Sequence, residues 1–244
     1  LSNIVIVNGP SYATPFTNLA EELGLNISTN KGLVIDCPDE VSLVVFTGGS
    51  DVSPDMYKEE RHYSTGNNPA RDEEEMEIFY AAKKAGIPMA GICRGSQFLC
   101  AMAGGKVVQD VTGHLGNHKL VVTMPDDTIR EVTVTSTHHQ MQYPFNLPES
   151  DYKVIGWNPV QRSKHYVMNN VKTILFMEAS DNLKSEPDIV WYPKIKALAA
   201  QYHPEYMPKD SDGYQTYLEL LDLYIKPEIL KHEQNRKATV KASS

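Results

Sequence analysis

The chain has 244 residues, 41% of them apolar and 22% charged, enough for one sizeable α/β domain or two small ones. Its net charge of −8 argues against a general nucleic-acid surface, which needs a positive field, and no apolar run approaches the roughly 18 residues of a membrane span. Three cysteines, Cys37, Cys93 and Cys100, form an odd set without metal-ligand spacing; with no N-terminal secretion signal, they point to a reducing, cytoplasmic setting.

Residues 4–7 read as a buried strand ending in the Asn8-Gly9-Pro10 turn. Residues 16–25 read as a short helix with Leu19, Ala20 and Leu23 on one side, and Leu33-Val34-Ile35 is expected as a second strand. The almost wholly apolar run from Val41 to Phe46 has the character of a parallel strand covered on both faces, and it stops at Thr47-Gly48-Gly49-Ser50-Asp51. A polar loop follows over 52–70. Residues 72–85 then read as a helix, acidic at its start and lysine-bearing at its end, in line with the macrodipole. Met76, Phe79, Tyr80 and Lys83 fall on what reads as its packed face.

Ile87-Pro88-Met89-Ala90 leads into Gly91-Ile92-Cys93-Arg94-Gly95, and a helix over 96–103 is stopped by Gly104-Gly105. This is the pattern of a nucleophile elbow with cysteine at its tip. A side chain on so tight a turn needs neighbours of almost no bulk, here Gly91 and Gly95. The helix that starts there directs its positive end and free N–H groups at the turn, favouring negative charge and offering donors to an oxyanion. The bland alternative is a buried cysteine between two incidental glycines.

Beyond Gly105 come β-rich runs at 119–124, 131–136, 153–157, 171–178, 189–192 and 197–202, expected in smaller mixed or antiparallel sheets attached to the main one. Residues 214–225 read as a helix with Tyr217, Leu218, Leu221 and Ile225 on its apolar face. The polar segment 226–244 reads as a docked helix or flexible tail, leaving 1–225 as a single domain. Alternating strands and helices predict an α/β fold: a doubly wound, mostly parallel sheet with helices on both faces, plus a smaller mixed or antiparallel sheet, and functional loops at the strand C-terminal ends.

A cysteine nucleophile needs a base and a group that orients the base. Of eight histidines, His203 stands where an apolar run ends, Pro204 stiffens the turn, and Glu205 is close enough in sequence to reach the imidazole. Alone, His-Pro-Glu is an ordinary turn. Paired with an elbow cysteine, it becomes a candidate dyad with its orienting carboxylate.

Three segments, Thr47-Gly48-Gly49-Ser50-Asp51, Gly91-Ile92-Cys93-Arg94-Gly95-Ser96-Gln97 and Gln201-Tyr202-His203-Pro204-Glu205, resemble the signatures of class I glutamine amidotransferases in their order and spacing. The resemblance runs from about residue 4 to 224. Arg71-Asp72, Gln109-Asp110-Val111 and Ser136-Thr137-His138-His139-Gln140 are most similar to the γ-glutamyl-γ-aminobutyrate hydrolase branch, a peptidase C26-like group. Ala199 stands where the family often has glycine, and Thr135-Ser136 where the branch commonly has Asn-Ser; neither touches the triad, but the second loosens the substrate assignment.

The resemblance implies Cys93 as nucleophile, His203 as acid/base, Glu205 as its orienting group, and the backbone N–H groups of Gly49 and Arg94 as the oxyanion hole. It also implies Gln97, His138, His139 and Gln140 around the substrate, with Asp51 either binding a substrate amine or capping its loop. No cofactor or metal is implied. His138 and His139 are adjacent and point opposite ways on a strand, and glycines interrupt the segment with His114 and His118, so neither pair reads as a metal site. Cys37 and Cys100 read as structural, and residues 186–193 as a hairpin without an assigned role.

The implied reaction is hydrolysis of the γ-amide of glutamine or of a γ-glutamyl compound. The chain then acts alone or as a glutaminase subunit serving a separate synthase, since these residues contain no nucleotide-binding loop. A second copy of the chain is a further candidate partner. The competing class is a thiol sensor on the same fold, which has no need of His203-Pro204-Glu205.

Overall fold

The computed structural model describes residues 2–169, 171–173 and 186–242. Its first half alternates β1 (Asn3–Val7), α1 (Thr17–Leu23), β2 (Asn26–Ser28), α2 (Leu33–Asp36), β3 (Val41–Phe46), α3 (Pro69–Ala85), β4 (Met89–Ile92) and α4 (Arg94–Met102). There follow β5 (Lys106–Val108), β6 (Asp110–Val111), β7 (Leu115–Thr123), β8 (Ile129–Thr137), β9 (Met141–Tyr143), β10 (Lys153–Trp157), β11 (Tyr166–Met168), β12 (Val171–Thr173), β13 (Pro187–Tyr192) and β14 (Ala197–Ala200). Helices α5 (Asp212–Leu220) and α6 (Lys226–Ala242) close the chain, joined by a π-helical turn at Leu221–Ile225.

Among the described residues the main sheet has the order β2-β1-β3-β4-β14-β13-β10-β7-β8. From β2 to β14 its strands pair in parallel; from β14 to β8 they pair antiparallel. The expected α/β architecture is therefore present, with small antiparallel sheets β12-β11-β6 and β5-β9 beside it. Strand periodicity explains the two cores. Ile4, Ile6, Leu43 and Val45 face α1, α5 and the start of α6, while Val5, Val7, Val44 and Phe46 face α2, α3 and α4.

Three local expectations change. Leu33–Asp36 is a helical turn, closed by Asp36 and Cys37 N–H groups donating back to Gly32 and Leu33; three apolar residues carry no period, and Asn26–Ser28 takes the edge position beside β1 instead. On α3, Tyr80 is exposed, and the buried face is Asp72, Glu75, Ile78, Phe79 and Ala82. Two carboxylates can occupy that face because tertiary partners neutralise them. The runs at 119–124, 131–136, 153–157, 189–192 and 197–202 extend the main sheet as β7, β8, β10, β13 and β14. The run at 171–178 is seen as β12, and its remainder lies outside the described residues.

Helix α6 docks through buried Ile229 and His232, and the Ser42 hydroxyl on β3 donates to Glu233 (2.6 Å). No helix among the described residues is long and apolar enough to cross a membrane. Because β3, β4 and β14 are parallel neighbours in matched register, their C-terminal ends bring the loops beginning at Thr47, Cys93 and Gln201 to one edge.

Candidate active site

Cys93 sits between β4 and α4 with φ 54° and ψ −113°, a left-handed conformation that costs a non-glycine residue on the order of 1–3 kcal/mol. The surroundings hold it there. The Cys93 N–H donates to Ala200 O on β14 (2.8 Å), and the Ser96 hydroxyl donates to Cys93 O (2.6 Å). A Cβ at Gly91 would lie 2.5 Å from Gly95 O, and one at Gly95 would lie 2.1 Å from Phe46 O. A side chain at Gly91 would push α4 away from β4, and one at Gly95 would push it away from β3, so the two glycines serve the elbow as the sequence predicts.

His203 leaves β14 beside this turn, its N–H bonded to Thr135 O (3.0 Å). Nδ1 donates to Glu205 Oε1 at 2.6 Å, and Nε2 lies 3.1 Å from Thr137 Oγ1. Tyr206 stacks on the imidazole at 4.6 Å with an interplanar angle of 13°. Burial disfavours the charged ring, but contacts with the Cys93 side chain and Glu205 outweigh it, and the His203 pKa is pushed up to about 10.

Gly49, Asp51, Cys93, Arg94, Gln97, Thr137, His138, His139 and Gln140 all line one cavity of about 340 Å³. Gln97 is buried in the first turn of α4, its Nε2 donating to Gln140 O (3.0 Å) and its Oε1 without a hydrogen-bond partner. His138 and His139 point opposite ways, but from the connection between β8 and β9 rather than from a strand. His138 is buried, donates from Nδ1 to Gln140 O (2.8 Å), and is held neutral by burial and by neighbouring His114. His139 lies at the mouth between Asp51 (3.2 Å) and Asp110 (3.5 Å), and its hydrogen bond to the Asp51 carboxylate holds its pKa up. Asp51 also accepts the Gly66 N–H (2.7 Å), so it both caps its loop and faces the cavity.

The neighbours of the Arg94 side chain are not legible in the elbow motif. Arg94 is buried and ion-paired to both Asp72 and Glu75 of α3. Arg71 donates from Nε to Glu75 (2.7 Å) and from its two terminal nitrogens to Gly48 O and Thr47 O (3.0 Å each). The i, i+1, i+4 spacing of Arg71, Asp72 and Glu75 on α3 was the available signal. Thr137 stood in the segment 136–140 without an assigned role, and Tyr206 had no signal. Nearby, His114 and His118 are buried beside Glu186 (3.5 Å) and Asp188 (3.3 Å). Among the described residues no group of three or more His, Cys, Asp or Glu side chains is placed to hold a metal ion. Cys100 is buried, its thiol pushed up to about 12 by burial, and Cys37 is exposed.

The model of the peptidase C26 family matches residues 20–205. The glutamine amidotransferase-like protein YvdE of Lactococcus lactis is 42% identical over 170 residues, which cover 68% of this chain and 66% of that protein. Other curated relatives are matched over smaller shares of their length. Among solved structures, a glutamine amidotransferase from Thermotoga maritima superposes with TM-score 0.51 and 18% identity, covering 97% of this chain and 92% of that one. The glutaminase domain of Trypanosoma brucei CTPS does so with TM-score 0.55 and 12% identity, covering 95% and 94%. The chain belongs to the peptidase C26 family, within the class I glutamine amidotransferase superfamily, and it spans less than two thirds of the length of the curated relatives it matches.

Proposed function

We propose that the chain hydrolyses the γ-amide of glutamine or of a γ-glutamyl compound through a γ-glutamyl thioester on Cys93. The observation that carries this reading is one edge of the sheet. A strained cysteine, an imidazole bonded to a buried carboxylate and a polar cavity meet there, supplied by the segments that follow β3, β4, β8 and β14.

In this mechanism the Cys93 sulfur attacks the γ-carbonyl carbon, and the negative oxygen that forms accepts hydrogen bonds from the N–H groups of Gly49 and Arg94. The imidazolium of His203, whose raised pKa keeps it protonated, gives its proton to the departing nitrogen as the C–N bond breaks. The neutral ring then takes a proton from water, whose oxygen attacks the thioester carbon. The C–S bond breaks, glutamate leaves, and the sulfur electron pair returns to Cys93. Glu205 holds His203 by its Nδ1–H throughout. Gln97, Gln140 and His138 present unpaired acceptors that suit the ammonium end of a glutamyl group, while Asp51 and His139 stand at the mouth on the leaving-group side. No step calls for a cofactor.

Residues 1–225 are taken as the catalytic unit, acting on a small molecule in the cytoplasm, where free thiols persist. A second reading, a glutaminase subunit passing ammonia to a synthase, is favoured by the likeness to the CTPS glutaminase domain. One assay separates them. The chain alone is expected to release glutamate from γ-glutamyl-p-nitroanilide, and Cys93→Ala to lower turnover by at least about a thousandfold. Turnover appearing only with an added synthase supports the subunit reading. Undiminished turnover in Cys93→Ala removes the mechanism.

A further inference from the structure

Arg71 and Glu75 take no part in the bond changes just described, yet they connect the two loops that bear the oxyanion donors. We propose that Arg71, held by Glu75, is a positioning residue that aims the Gly49 N–H at the oxyanion. The inference rests on the amide-hydrolase reading.

The argument starts from the peptide unit. Among the described residues no peptide bond is cis, so the Gly48 carbonyl and the Gly49 N–H point in opposite directions. Arg71 takes that carbonyl and the preceding one of Thr47, both at 3.0 Å. Fixing the carbonyl on the guanidinium fixes the N–H on the far side of the loop. That side is turned away from Arg71. A Cβ at Gly48 would meet the Tyr12 hydroxyl at 2.2 Å and His203 Cε1 at 3.4 Å, whereas one at Gly49 would lie 2.1 Å from Arg71 Nη1.

Gly49 has φ +140° and lines the cavity with Cys93. A glycine in such a region is free to rotate unless its neighbours are anchored. The planar fork of arginine suits two successive carbonyls, whereas a lysine ammonium is a compact point charge.

Glu75 supplies the second half of the device. It accepts from Arg71 Nε through Oε1 (2.7 Å) and from the Arg94 side chain through Oε2. Arg94 carries the other donor N–H. One buried carboxylate thus sets the distance between the two loops, and the donors are in place before substrate arrives, the condition under which they lower a barrier most.

The test uses the full chain with γ-glutamyl-p-nitroanilide as substrate. Arg71→Ala is expected to lower kcat about a hundredfold, the loss typical of one oxyanion donor, with KM within about threefold. Arg71→Lys should recover little. Added methylguanidinium should restore the Arg71→Ala variant at least about tenfold while leaving the unsubstituted chain unchanged. Alkylation of Cys93 by iodoacetamide forms no oxyanion, so its rate should stay within about twofold. Arg71→Gln, which keeps one amide donor, should fall between and serves if the alanine variant does not fold. A kcat within threefold of the parent overturns the inference, as does a parallel loss of KM and alkylation rate. An unsubstituted chain without turnover, alone or with a synthase, overturns the hydrolase reading and this inference together; failure of the inference alone shows only in the ratio of variant to parent.

Discussion

The Arg94 cluster on α3 and α4 and the histidine cluster beside β7 and β13 are both largely buried, and they handle burial in opposite ways. In the first, two guanidiniums meet two carboxylates, and Asp72 further accepts the Ser53 N–H at 3.1 Å. In the second, His118 Nδ1 and His138 Nε2 have no hydrogen-bond partner among the described residues, and His138 is held neutral. A compensated ion cluster fixes geometry, and it stands where loops must keep their spacing. A cluster with unpaired ring nitrogens tolerates a change of partner, and through His138 it borders the cavity a ligand enters.

The largest expected effect breaks the first cluster. Glu75→Leu leaves Arg94 with Asp72 alone and should destabilise the fold by about 3–5 kcal/mol, read from the urea midpoint at constant slope. A loss below about 1 kcal/mol would mean that the cluster is not the fixed element described here.

A second test follows from pH. His138 is held low by burial, so below about pH 6.5 the unfolded chain takes up a proton that the folded one refuses, and stability falls by about 1.4 kcal/mol per pH unit. His203 has the opposite sign. Its stabilisation is complete below about pH 6.5 and is lost as pH rises towards about 10. The histidine contributions should therefore give a stability maximum near neutrality, and His138→Gln should flatten the acid side only. An acid slope unchanged in that variant would assign the effect elsewhere, His232 being the other buried histidine held low by burial.

The smallest effect belongs to His114→Leu. Glu186 keeps the N–H groups of Arg162 and Ser163 (3.0 and 2.9 Å) and the Tyr166 hydroxyl (2.6 Å). The change should cost less than about 1 kcal/mol in thermal unfolding. A cost matching that of Glu75→Leu would erase the contrast between the clusters.

Much of the site is legible before folding is considered. Gly91, Cys93 and Gly95 announce a turn that admits no other side chains at its flanks, and His203-Pro204-Glu205 places a carboxylate two residues from an imidazole, a distance the chain can close locally. The parallel strands are legible too, because β3 is apolar at every position but Ser42. The short run at Leu33 is not, since three residues cannot separate a helical turn from a strand.

Local chemistry, then, is what the sequence by itself determined: the elbow, the His203–Glu205 pair and the strands that deliver them, each marked by a pattern within a few residues. Only the tertiary structure decided which side chains share a cavity and which charges may be buried. Asp72 and Glu75 look like solvated helix-start acids until Arg94 and Arg71 arrive from other segments. A buried charge is tolerated only beside its partner, and that partner lies far along the chain.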